Sequence, residues 1–167
     1  MLQHDSTGWS YAERVVSGEQ PAAQPLVHAC TRAVEDRRKH KTKESQFYYD
    51  AEAANRVIKF FAFLKHLKGP LAGKPIELAD WQMFIISQLY GWMRTSDGYR
   101  RFRTAYVEVP RKSGKSTFCS GLALYHLIAD FESAAEIYAA STTRDQSRIV
   151  FGDGQAFVKK SPELLQH

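Results

Sequence analysis

Cysteine is scarce in this sequence, with Cys30 and Cys119 the only two present. They have no metal-type spacing, and no pair of histidines at a fixed offset accompanies them, which argues against a zinc site. Each reads as a small buried hydrophobe in a reducing cytoplasm. Long apolar runs are missing as well. None approaches the roughly 18 residues of a membrane span, so no transmembrane segment is expected. The N-terminus, Met1-Leu2-Gln3-His4-Asp5, lacks the basic-then-apolar pattern of a secretory signal. There is no internal repeat. The charge imbalance is moderate, +5, which is compatible with a nucleic-acid or nucleotide partner without requiring one.

What is present is ordinary globular composition, with 44% hydrophobic and 25% charged residues in a chain of 167. That length suffices for one domain with a real core, or for a small domain with a helical appendage. Tyr11, Val15 and Val16 mark a short amphipathic helix ending near Gly18, and Pro21 and Pro25 punctuate the turn that follows. Leu26 to Val34 reads as a second helix with Leu26, Val27, Cys30 and Val34 on one face. Asp36 to Lys43 is polar and mostly basic, a solvated linker or helix end, with DNA phosphate as the other use for such a run. From Ser45 onward, Phe47, Ala51, Ala54, Val57, Ile58, Phe61 and Leu64 recur at helical spacing as far as Gly69-Pro70. Trp81 to Met93 continues the helical pattern with Phe84, Ile85, Gln88, Leu89 and Trp92. The basic cluster Arg100, Arg101, Arg103 and Arg111 follows the turn at Ser96-Asp97-Gly98.

The period then changes. Thr104 to Val109 is short and β-rich, so it reads as a buried strand. Lys115 to Ala129 is helical, Ile137 to Ala140 a second strand, and Arg144 to Lys160 another helix. Strand, loop, helix, strand and helix in succession predict an α/β fold with a parallel sheet flanked by helices, here preceded by a helical N-terminal region. The expected division is residues 1–80 for the helical region and 81–167 for the start of a P-loop domain.

Between the first strand and its helix lies Pro110-Arg111-Lys112-Ser113-Gly114-Lys115-Ser116. The general phosphate-loop pattern is Gly, four residues, then Gly-Lys-Ser/Thr. Gly114, Lys115 and Ser116 match it, and Val109 stands where the first glycine would be. The setting is the one the chemistry needs. Backbone amides of the loop and of the helix start converge where the helix dipole favours negative charge, and Gly114 removes the Cβ that would block phosphate. Lys115 would place a cation on the β and γ phosphates of ATP, and the Ser116 hydroxyl would ligate Mg²⁺ in preference to Thr117 beside it. Arg111 lies inside the loop where a second cation could reach the γ-phosphate. Lys112 and Ser113 offer their amides. A carboxylate for the attacking water would follow four apolar residues on a neighbouring strand. Leu127-Ile128-Ala129-Asp130 has the form but closes the helix, so Asp130 is read as a helix-end residue. No candidate lies beyond Ile137, so the chain is expected to stop before that acid.

Taken together, Trp81-Gln82, Arg100-Arg101-Phe102-Arg103 and Val107 to Ser116 resemble the large subunit of tailed-bacteriophage terminases. Tyr138 to Gln146 and Tyr11 to Gly18 carry the same resemblance, which spans nearly the whole chain. That family's Walker A loop often lacks its first glycine and has an early arginine, as Val109 and Arg111 do here; where it commonly has Asn, this chain has Ser113. The resemblance implies ATP hydrolysis coupled to movement of double-stranded DNA into a capsid. It also implies a small subunit and a portal protein as partners, a homo-oligomeric ring, the bacterial host cytoplasm, and a nuclease domain that these residues do not include. It further implies that Gln82 contacts adenine and that Arg101, Arg103, Arg144 or Arg148 acts on a neighbouring subunit's ATP. On this reading the chain is an N-terminal fragment that binds ATP and does not complete catalysis. A helicase-like ATPase, or a non-catalytic DNA-binding or assembly remnant, is the alternative.

Overall fold

The structure, a computed structural model, describes residues 8–40, 45–162 and 164. Contacts divide the chain into two compact units, each built from two stretches of sequence. The first comprises Met1–Ile58 and Leu78–Tyr106, the second Lys59–Glu77 and Val107–His167.

The first unit opens with helix α1 (Trp9–Ser17) and helix α2 (Gln24–Lys39), which pack against one another. Pro25 falls in the first turn of α2, where its missing N–H costs nothing. Strand β1 (Phe47–Tyr49), helix α3 (Ala51–Phe61), helix α4 (Asp80–Gly91) and strand β2 (Trp92–Arg94) follow. β1 and β2 are antiparallel, pairing Phe47 with Arg94, Tyr48 with Met93 and Tyr49 with Trp92. A bridge from Met93 to Arg100 adds a third extended segment. The core gathers Trp9, Ala12, Val15, Cys30, Ala33, Phe84 and Trp92. Trp9 meets Tyr49 edge-on at 5.2 Å and Trp92 at 6.4 Å, the geometry aromatic quadrupoles prefer.

Two expectations change here. The helix expected from Ser45 begins at Ala51, because Phe47-Tyr48-Tyr49 is taken up by the ladder with β2 and the Asp50 carboxylate accepts from the Ala53 amide at 3.0 Å. That cap starts the helix where the strand ends. The basic run from Asp36 is not simply solvated. α2 continues to Lys39, and Asp36 is buried against Arg101, 2.8 Å from its guanidinium. Residues 41–43 of that run lie outside the described residues.

In the second unit, α3 ends at Phe61 rather than near Gly69. The amides of Ala62, Phe63 and Leu64 bond three residues back, to Lys59, Phe60 and Phe61, which tightens the last turn. The chain then doubles on itself: Ile76 donates to the Leu64 carbonyl at 2.8 Å and His66 to that of Lys74 at 2.9 Å. Helices α5 (Lys115–Ile128) and α6 (Arg144–Lys160) pack together. Phe61 stacks on Phe118 at 5.7 Å and Phe60 meets Tyr125 at 5.5 Å. Gly121 has no room for a side chain, since an added Cβ would lie 2.6 Å from Cζ of Phe61. The end of α6 is tied to the doubled segment by Ser161 Oγ donating to the Phe63 carbonyl at 2.7 Å.

The parallel sheet expected from the sequence is not formed among the described residues, whose one sheet is the antiparallel β1–β2 pair. Thr104 to Val109 and Ile137 to Ala140 are extended but outside any ladder. They are also exposed rather than buried, Tyr106 by 87% and Tyr138 by 84%. A helix satisfies its own backbone, whereas a strand exists only with a neighbour. That is why α5 and α6 form here and the strands do not.

Candidate phosphate-binding loop

Residues 110–117 lie in the second unit, between the extended segment and α5. Ser113 Oγ donates to the Pro110 carbonyl at 2.7 Å, closing the loop on itself. Gly114 is the residue before the helix, with φ 78° and ψ 11°. This left-handed conformation strains any residue with a Cβ, and the space beside it is open to 4 Å. Lys112 has φ 67°, the same hand, despite its side chain. Left-handed residues thus stand on either side of Ser113, and backbone nests that bind anions are built with residues of this hand.

The helix start adds to this. No side chain caps α5, and its first helical bond runs from the Phe118 amide to the Gly114 carbonyl at 3.0 Å. The amides of its first turn therefore point out along the axis at the positive end of the dipole. Arg111, Lys112 and Lys115 are exposed, and none is in an ion pair among the described residues. Ser116 and Thr117 are half-buried on the first turn, and the Ser116 carbonyl accepts from Ser120 Oγ at 2.7 Å. Cys119 is exposed one turn beyond Lys115; burial of the sulfur raises its pKa, and Lys115 offsets part of that rise.

No group of three His, Cys, Asp or Glu could hold an ion among the described residues. Mg²⁺ needs few protein ligands when phosphates and water complete its shell, so a single hydroxyl such as Ser116 fits that role. Asp130 does not compete. Its carboxylate is 2.6 Å from His126 Nδ1 just past the far end of α5, about 20 Å from the loop along the helix axis.

The loop residues come together by being consecutive. Gln82 belongs to the first unit, on the opening turn of α4, where its Oε1 accepts from the Ala79 amide at 2.9 Å. This cap uses the amide oxygen and leaves the Nε2 donors. Of the arginines considered for action in trans, Arg101 is already committed. Besides Asp36, its guanidinium lies over the rings of Phe47 at 4.2 Å, Phe102 at 4.8 Å and Trp92 at 5.7 Å. Arg103, Arg144 and Arg148 are exposed. The left-handed Lys112 had no signal in the sequence, because lysine is not a residue that announces a positive φ.

A family model described as the terminase large subunit, ATPase domain, matches residues 80–167, more than half of the chain. No curated protein matches the chain, and no solved structure matches it.

Proposed function

The chain belongs to the terminase large subunit ATPase-domain family, and from that premise we propose that residues 110–117 bind the phosphates of ATP for a motor that packages viral DNA. The observation that carries the proposal is the pair of left-handed residues, Lys112 and Gly114, leading into an uncapped helix. This is a cradle of backbone donors with three cations beside it. Lys115 sits on the β and γ phosphates, Arg111 reaches the γ-phosphate, and the amides of Lys112, Ser113 and Gly114 take the remaining oxygens. Ser116 is the one protein ligand to Mg²⁺, with Thr117 beside it on the same turn; the ion, when bound, neutralises the phosphate charge. Gln82 reads the adenine edge through its Nε2.

Double-stranded DNA, a small subunit, a portal protein and a homo-oligomeric ring are the partners, in the cytoplasm of the bacterial host.

Calorimetric titration of the chain with ATP and Mg²⁺ tests the site. One nucleotide per chain is expected, and Lys115→Ala should weaken binding about a hundredfold, the loss of roughly 3 kcal/mol from a charge-assisted contact. Absence of binding by the unsubstituted chain sinks the reading.

A further inference from the structure

Within the first unit, α1 and α2 leave an open groove of about 690 Å³ between them, lined by Glu13, Val16, Ser17, Val34, Arg37 and Arg38. Most charges nearby are already neutralised inside the unit. Arg14 pairs with Asp80 at 2.5 Å, Lys39 with Glu35 at 3.3 Å, and Asp36 with Arg101 at 2.8 Å. Arg37 and Arg38 are in no ion pair among the described residues, and both are exposed. Arg37 is held in place besides, its guanidinium lying over the ring of Trp9 at 4.6 Å. A cation stacked in this way is pre-organised and loses little freedom when it meets a carboxylate. The lining also includes Val16, 42% exposed, and Val34, half-buried, which give the groove apolar surface.

We infer that this groove docks a short acidic segment of another protein, seating an apolar side chain on Val16 and Val34 and a carboxylate on Arg37 and Arg38. Nucleic acid fits less well. Phosphate contacts call for cations along a track, whereas the lining here combines two cations with one anion, Glu13, and two valines. The inference does not involve the phosphate loop and stands or falls separately from it.

The test is selection of a displayed library of ten-residue peptides against the full chain. The chains carrying Arg38→Glu and Val16→Ser serve as comparisons, because both positions are exposed and leave the Trp9 stack intact. Circular dichroism should show the same helix content in all three. Enrichment of peptides combining Asp or Glu with Leu or Ile is expected, with at least a tenfold loss of affinity for Arg38→Glu and a smaller loss for Val16→Ser. No enrichment overturns the inference, and so does enrichment that both substitutions leave unchanged. If instead a 30-base-pair duplex binds in an Arg38-dependent manner and peptides do not, the groove is a nucleic-acid contact and the inference is wrong.

Discussion

The two units pack their buried aromatic residues differently. In the first, Trp9 and Trp92 are 2% and 1% exposed and interlock with Tyr49, while Arg37 and Arg101 lie on their faces. In the second, Phe61, Phe118 and Phe157 are buried around α5 and α6, with no cation on the face of Phe61 or Phe157 among the described residues. Phe131 and Tyr138 are 88% and 84% exposed, as Tyr106 of the first unit is by 87%. The first unit contains helices and a ladder that satisfy one another. The second contains two self-sufficient helices and an extended segment that finds no ladder. Closure follows from whether each backbone segment has its partner, since the apolar content of the two is similar in kind.

The cysteines let the contrast be measured, because each unit has one. Cys30 is fully buried, and desolvation pushes its thiol to about 11; Cys119 is exposed. Labelling with an aromatic disulfide at neutral pH should modify Cys119 first and Cys30 at least about a thousandfold more slowly, as expected when reaction waits for a core to open. Equal rates would mean that the first unit is not closed. The same burial has a pH consequence. The folded thiol stays neutral above the ordinary value of 9.0, so its contribution to stability is complete below pH 9 and is lost as pH rises toward about 11. Thermal melts across that interval should fall steadily.

Smaller effects sharpen the comparison. Trp92→Ala removes a buried ring and its bond to Gln88 Oε1 at 3.2 Å, and should cost about 3–5 kcal/mol in urea unfolding of the first unit. Gly121→Ala forces a methyl against Phe61 in the second unit, and about 1–3 kcal/mol is expected there. Tyr138→Ser should stay within about 0.5 kcal/mol, because the ring is solvated. A large loss at Tyr138 would show that its segment is paired after all.

These differences also explain what could be read in advance. α6 runs from Arg144 to Lys160 as the residue pattern predicts, because Thr143 supplies the cap that accepts from Gln146 at 3.4 Å and a helix needs nothing more distant. α5 starts at Lys115 as the pattern predicts, without a side-chain cap, after the left-handed Gly114. The Asp36–Arg101 pair joins residues 65 apart and has no local sign in either stretch. Phe47 suits a helical spacing when read alone, and only β2 decides that it lies in a strand. Of the loop, Gly114, Lys115 and Ser116 were legible as a motif. The hand of Lys112 was not, since it comes from the closure of the loop by Ser113 and Pro110 rather than from the residue itself.

That hand carries a steric cost. A side chain at φ 67° pays a steric penalty of about 1–2 kcal/mol that glycine would not. In population terms this is a bias of roughly fivefold or more toward other backbone shapes. On the proposed reading, an oxyanion held by the neighbouring amides offsets that cost. Lys112→Gly would remove the bias and leave the loop indifferent to which shape it holds.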